Sequence, residues 1–116
     1  MKHFIVTLVL NAPRTEIGPR RLVLHDRHFH TGYDLGLFLF YGALSQADGY
    51  LAIARSETGK TLNHFLEEDP LVLERLASVA IVEYRPTEYP RIMRGWVDPM
   101  GYGNGVDLDW LPAAFI

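Results

Sequence analysis

The amino-acid sequence predicts a single α+β domain in which two helices cover one face of an antiparallel sheet. The length of 116 residues suits one hydrophobic core. The apolar share of 48% and the charged share of 22% are those of an ordinary globular protein. Along the chain, short apolar runs typical of strands alternate with segments in which apolar residues recur every three or four positions.

The first predicted strand spans residues 3–10, where β-branched and large apolar side chains dominate. A basic start followed by a short apolar run is also found in signal peptides, but no small-residue cleavage site follows here. We therefore favour a strand and expect a cytoplasmic protein. No segment approaches the roughly 18 apolar residues that a membrane-spanning helix needs, so no membrane association is expected.

The first helix is predicted over residues 20–36, because its apolar residues follow helical spacing and a glycine stop ends the pattern. These residues are Leu22, Phe29, Tyr33 and Gly36. The wholly apolar segment 37–41 follows as a strand. A polar turn at residues 45–49 ends in Asp-Gly and leads into a strand at residues 50–55, which gives a hairpin.

The second helix is predicted to be capped by Ser56 and to end at about residue 68, with its apolar residues on one stripe. An Asp-Pro pair at 69–70 ends this helix, because the residue before proline avoids the α region. A short helical segment at 71–76 then leads to a strand at 79–84. The order β-α-β-β-α-β is that of the ferredoxin-like split βαβ arrangement.

The helices of this arrangement leave one face of the sheet uncovered, and the chain has few residues left to cover it. A second copy is the natural cover, so a homodimer is expected. Residues 1–85 form the predicted domain. Residues 86–116 are rich in proline, glycine and aromatic residues and are expected to be an ordered extension on the core or on the partner subunit, with a strand at 92–97.

Several function classes find no support in composition or motifs. The net charge of −3 argues against nucleic-acid binding, and the absence of cysteine removes thiolate nucleophiles and cysteine-based zinc sites. Gly59-Lys60-Thr61 lacks the earlier glycine of a phosphate-binding loop, since Ala54 stands there. The segment GYGNG at 101–105 lacks the βαβ context of a dinucleotide site. No cofactor is therefore implied.

Three histidines lie near the start of the first predicted helix. His25 falls on the apolar line of this helix, His28 on an adjacent face and His30 on a mostly polar row. His25 and His28 are three residues apart, so a shared metal ion is geometrically possible, although further ligands would be needed. A buried, hydrogen-bonded histidine is the alternative for His25, and surface solvation is the interpretation for His30.

Two aspartates have ordinary structural interpretations. Asp69 can cap the short helix that begins at Pro70, and Asp48 can serve only the hairpin turn. Taken singly, none of these polar residues indicates an activity.

Taken together, the motifs His25, Gly36, Gly42-Ala43-Leu44, Asp48-Gly49 and Asp69-Pro70-Leu71 resemble the pattern of the YCII-related (YciI-like) family of small dimeric α+β proteins. The resemblance covers residues 2–84 and selects His25 over the other two histidines. It implies that His25 and Asp69 form an active-site pair. Two positions depart from the family pattern, because Ala43 replaces a proline and Asp26 replaces an apolar residue.

Such a pair suits proton transfer, because a carboxylate that accepts from one imidazole nitrogen leaves the other free as general acid or base. We expect an isomerase-like or dehydrohalogenase-like enzyme acting on a small cyclic or hydroxyaromatic substrate. Further substrate-binding candidates are Arg21, His28, Tyr41 and Asp48. The alternatives are a non-catalytic ligand-binding or accessory protein of the same fold, and a metal-binding protein.

Overall fold

A computed structural model describes residues 1–99 and contains one four-stranded antiparallel sheet. Its strands lie in the spatial order β2-β3-β1-β4. They are β1 (Lys2–Leu10), β2 (Phe38–Ala43), β3 (Gly49–Ser56) and β4 (Ala77–Tyr84). This order, with the helices between β1 and β2 and between β3 and β4, confirms the predicted ferredoxin-like α+β fold.

Two main helices connect the strands, and short helical turns precede or follow them. The helices are α1 (Arg14–Ile17), α2 (Pro19–Asp34), α3 (Gly59–Glu67), α4 (Pro70–Leu73) and α5 (Arg94–Val97), with a 3₁₀ turn at Arg91–Met93. Proline in the first turn of α2 suits a helix start, because its missing N–H is not needed there. Gly36 follows the end of α2 with φ of 76°, a conformation that favours glycine.

Two local predictions differ from the structure. Thr58, not Ser56, caps α3, and its hydroxyl accepts a hydrogen bond from the Thr61 N–H at 3.1 Å. Ser56 is instead the buried last residue of β3. The segment 92–97 is helical rather than a strand, because its backbone bonds are local, as from the Asp98 N–H to the Arg94 carbonyl.

The hydrophobic core lies between the sheet and the helices. Alternate residues of β1 face it, and Phe4, Val6 and Leu8 are almost completely buried. β3 approaches β1 so closely at its first residue that a Cβ on Gly49 would collide with the Leu8 carbonyl oxygen. The glycine of the Asp-Gly pair predicted from the sequence is therefore required by packing.

Among residues 1–99, the segment after β4 covers the other face of the sheet at one end only. There the carbonyl oxygen of Val97 accepts from His3 at 2.8 Å, and the Arg55 guanidinium lies 4.1 Å from the centroid of the Trp96 ring. The remainder exposes apolar side chains of all four strands, with Phe40 65% and Val82 58% exposed. Residues 100–116 of the predicted extension, with the GYGNG segment at 101–105, lie outside the described residues. Within them, no helix is long and apolar enough to cross a membrane.

Candidate active site

The candidate site lies at the end of the sheet where β1 ends and where β3 and β4 begin. The strand register brings this end together, since Val9 pairs with Gly49 and Leu10 with Ala77. The loop after β1, the β2–β3 turn and the segment before β4 therefore meet here. The first half of α2 runs along the same end and carries His25.

His25 and Asp69 form a buried pair, and neither side chain has any exposed surface. His25 Nδ1 lies 2.7 Å from Asp69 Oδ1. An ionised carboxylate can only accept, so Nδ1–H is the donor. Asp69 occupies the cap position of α4, but its side chain makes no capping hydrogen bond, so the simple capping interpretation is wrong. Its Oδ2 has no hydrogen-bond partner among residues 1–99.

The second nitrogen of the same ring contacts Tyr41, a half-buried residue of the edge strand β2. His25 Nε2 lies 2.6 Å from the Tyr41 hydroxyl. With the proton on Nδ1, the neutral ring accepts the Tyr41 O–H at Nε2. Burial raises the pKa of Tyr41 far above its usual range, and the nearby Tyr50 adds to the shift. The hydroxyl is therefore protonated at neutral pH.

Aromatic rings surround the imidazole. Its centroid is 4.7 Å from that of Phe29 and 4.8 Å from that of Tyr50. Tyr41 and Tyr50 stack on each other with centroids 5.2 Å apart. This apolar surrounding lowers the local dielectric and strengthens the hydrogen bonds that the ring makes. It also separates His25 from solvent, and the hydroxyl of the partly buried Tyr41 is the polar group that the ring contacts at Nε2.

Asp48 belongs to the same end of the sheet through an arginine that sequence analysis missed. Arg14 donates to the Gly49 carbonyl at 2.9 Å and lies 3.5 Å from Asp48 Oδ1. Its Nε is 3.4 Å from the Tyr50 hydroxyl, and its guanidinium lies 5.0 Å from the centroid of the Tyr50 ring. The predicted topology could have indicated this contact, because the loop after β1 must adjoin the β2–β3 turn.

Two predicted site residues lie elsewhere. Arg21 forms an exposed ion pair with Glu74, with Nε 3.2 Å from Oε1, and no described contact joins it to His25. His28 Nε2–H donates to the Phe65 carbonyl at 2.7 Å, and its ring stacks on Phe65. His28 thus joins α2 to α3. Within residues 1–99, no three His, Asp or Glu side chains are grouped as metal ligands would be.

The described cavities do not include the buried pair. A cavity of about 520 Å³ lies at the opposite end of the sheet beside His3 and Tyr89, and another of about 510 Å³ lies beside Arg21 and Glu74. The residues of the site that reach the surface are Tyr41, Arg14 and Asp48. The pair therefore meets as predicted but is closed off from solvent in the single chain.

Comparison with known proteins bears on the fold. No family model and no curated protein matches the chain. Among solved structures, it is similar to 5-chloro-2-hydroxyhydroquinone dehydrochlorinase (TftG) from Burkholderia phenoliruptrix AC1100, in complex with 2,5-dihydroxybenzoquinone. The sequence identity is 16% and the TM-score is 0.51, and the match covers 74% of this chain and 95% of that chain. This likeness supports the ferredoxin-like α+β fold.

Proposed function

We propose that the protein is a small-molecule enzyme that transfers a proton on a cyclic or hydroxyaromatic substrate, in an isomerisation or a dehydrohalogenation. The observation that carries the proposal is the continuous hydrogen-bonded line from Asp69 through His25 to Tyr41. The reaction named for the structural neighbour, loss of chloride from a chlorinated hydroxyhydroquinone, is of this class. The motif pattern further supports a place in the YCII-related family.

The proposed reaction uses Tyr41 as the group that touches the substrate. The substrate proton moves to the Tyr41 oxygen while the Tyr41 proton moves to Nε2 of His25. The electron pair left behind moves onto a ring oxygen of the substrate, and the Asp69 carboxylate stabilises the imidazolium. Return of the proton to another ring carbon completes an isomerisation. In a dehydrochlorination, the same electron pair returns to form a carbon–carbon double bond as chloride leaves the adjacent carbon with its bonding electrons. The proton on His25 Nε2 then passes back through Tyr41 to water.

This assignment changes the expected role of His25. A side chain with no exposed surface cannot contact a substrate directly, so His25 acts through the Tyr41 hydroxyl. Tyr41, which the sequence analysis gives as a substrate-binding candidate, is the catalytic residue in this proposal. Asp69 orients the imidazole by fixing the proton on Nδ1.

The complete burial of the pair also favours a second candidate, a non-catalytic ligand-binding or accessory protein. In that case the hydrogen bonds of His25 would serve only to satisfy a buried polar group. Both candidates require the same contacts, and only turnover distinguishes them.

A screen for proton exchange tests the proposed function. Small hydroxyaromatics, hydroxyquinones and lactones are incubated in D₂O and followed by NMR, and chlorinated members are also tested for chloride release. We expect Tyr41→Phe and His25→Gln to reduce turnover by about 10²–10⁴-fold. Tyr33→Phe is the matched control, because this partly exposed tyrosine on α2 contacts neither Asp69 nor His25 in any described interaction. Turnover unchanged in both site variants would contradict the mechanism and favour the accessory protein.

We also propose that a second copy of the chain covers the open face of the sheet. The exposed apolar residues of this face come from β1, β2, β3 and β4: Val9, Phe40, Leu51 and Val82. Burying them between two sheets would stabilise a dimer through the hydrophobic effect. Phe40→Lys with Val82→Lys should yield a folded monomer in sedimentation experiments. A wild-type protein that sediments as a monomer at micromolar concentration would contradict the dimer.

A further inference from the structure

Arg14 lies near the line from Asp69 to Tyr41, because it contacts Tyr50, which stacks on Tyr41. Its charge is incompletely neutralised. Described residues within 1–99 accept from at most three of its five N–H groups, and only the contact with the Gly49 carbonyl is short, at 2.9 Å. Its carboxylate partner Asp48 is 3.5 Å away and about half exposed, so water screens this ion pair.

The guanidinium is held in position from two sides. It lies over the Tyr50 ring, and Tyr50 stacks in turn on Tyr41. The hydrogen bond from Arg14 to the Tyr50 hydroxyl raises the pKa of Arg14, and the positive charge of Arg14 opposes the effect of burial on the pKa of Tyr41. A cation thus lies close enough to Tyr41, the group proposed to receive the substrate proton, to act on it electrostatically.

We propose that Arg14 binds an ionised ring oxygen or a carboxylate of the substrate, and that the substrate class is a planar anionic ring such as a hydroxyquinone or a hydroxybenzoate. This inference rests on the proposed function and deepens it. Removal of a proton through Tyr41 leaves negative charge on the substrate ring, and a preorganised guanidinium beside that charge stabilises it. A planar fork of donors also matches a carboxylate or a pair of adjacent oxygens.

Arg21, the arginine that the sequence predicts to bind substrate, makes different contacts from Arg14. Arg21 is paired with Glu74 through both carboxylate oxygens, at 3.2 and 3.3 Å from Nε. It also contacts the Ile17 carbonyl, and no described contact links it to Tyr41 or Tyr50. Arg21 is therefore a matched control, since it has the same charge and lies on the neighbouring helix.

Binding of a coloured anion tests the inference without turnover. The probe is 2,5-dihydroxybenzoquinone, which is an anion at neutral pH, and its neutral counterpart is 2,5-dimethoxybenzoquinone. We expect Arg14→Gln to weaken binding of the anion at least about tenfold, the loss typical of a removed charge-assisted hydrogen bond. Arg14→Lys should show a smaller loss, Arg21→Gln should bind like the wild type, and the neutral quinone should be insensitive to all three changes.

Two results would overturn the inference. One is anion affinity that is the same in Arg14→Gln and in the wild type, and the other is a wild-type protein that does not prefer the anion over the neutral quinone. The turnover screen separates this failure from failure of the proposed function. Loss of turnover in Tyr41→Phe together with Arg14-independent binding rejects only the role of Arg14. Arg14-dependent binding without any turnover rejects proton-transfer catalysis and leaves the anion site.

Discussion

The two ends of the sheet each bury a histidine, and the two histidines have different surroundings. His25 uses both ring nitrogens, one toward the Asp69 carboxylate and one toward the Tyr41 hydroxyl. His3 donates from Nε2 to the Val97 carbonyl, and its Nδ1 has no hydrogen-bond partner among the described residues. Burial, the nearby N-terminus and Arg55 lower the pKa of His3 and favour the neutral ring.

This difference separates a structural histidine from one that is arranged for proton transfer. Burial alone occurs at both ends, since His3 is 4% exposed and His25 is not exposed at all. Only His25 combines an acidic partner with a hydroxyl that leads toward the surface. His3 instead attaches α5 to the start of β1. The nature of the partners, rather than the degree of burial, defines the candidate site.

The largest expected effect is the loss of stability in His25→Ala. The substitution leaves the Asp69 carboxylate buried without its partner and opens a cavity among aromatic rings, so we expect a cost of roughly 3–5 kcal/mol in unfolding free energy. The matched variant His3→Ala removes no charged partner and should cost less. Urea denaturation measures both. An equal loss in the two variants would contradict the contrast between the two ends.

A smaller effect is expected at alkaline pH from Tyr41. Its pKa is raised in the folded protein, so the unfolded chain loses this proton first, from about pH 10 upward. The stabilising contribution is complete below that pH and decreases above it, by about 1.4 kcal/mol per pH unit. The decrease between pH 10 and 11 should be less steep in Tyr41→Phe than in the wild type or Tyr33→Phe. Parallel stability curves for all three proteins would contradict the burial of the Tyr41 hydroxyl.

The smallest effect is expected at acid pH from His3. Burial lowers its pKa in the folded protein, so the unfolded chain binds this proton first as the pH falls below about 6.5. The contribution is present above that pH and is lost below it, by up to about 1.4 kcal/mol per pH unit. His3→Gln can still donate to the Val97 carbonyl without titrating. We expect its stability between pH 6.5 and 5.5 to fall less than that of the wild type, and an identical fall would contradict the assignment.

The sequence predicts the fold well because its strands and main helices depend on local patterns. The helical phase of Leu22, His25 and Phe29 predicts that His25 faces the core, and Gly36 marks the end of α2. The residue that caps a helix is harder to predict. Ser56 and Thr58 both carry a hydroxyl that could cap α3, and only the point at which β3 ends shows that Thr58 does so. The segment 92–97 has apolar residues that suit a strand, but local backbone hydrogen bonds make it helical.

The candidate site could be predicted only in part, because its contacts join residues that are far apart in the sequence. His25 and Asp69 were identified by resemblance, and their contact spans 44 positions of the sequence. The role of Tyr41 depends on the contact between its hydroxyl and His25 Nε2, and no local sequence pattern predicts this contact. Arg14 lies in α1, a helix of four residues that is too short to show a helical pattern in the sequence. Its position beside Tyr50 follows from strand register rather than from sequence spacing.

The most direct test of the central claim is the position of the proton on the His25 ring. NMR of ¹⁵N-labelled histidine at pH 8 distinguishes the two ring nitrogens, and the exposed His30 provides an internal reference. We predict a proton on Nδ1, donated to Asp69, and an unprotonated Nε2 that accepts from Tyr41. In Tyr41→Phe, the Nε2 signal should shift while Nδ1 remains protonated. A proton on Nε2 in the wild type would contradict the relay from Asp69 through His25 to Tyr41.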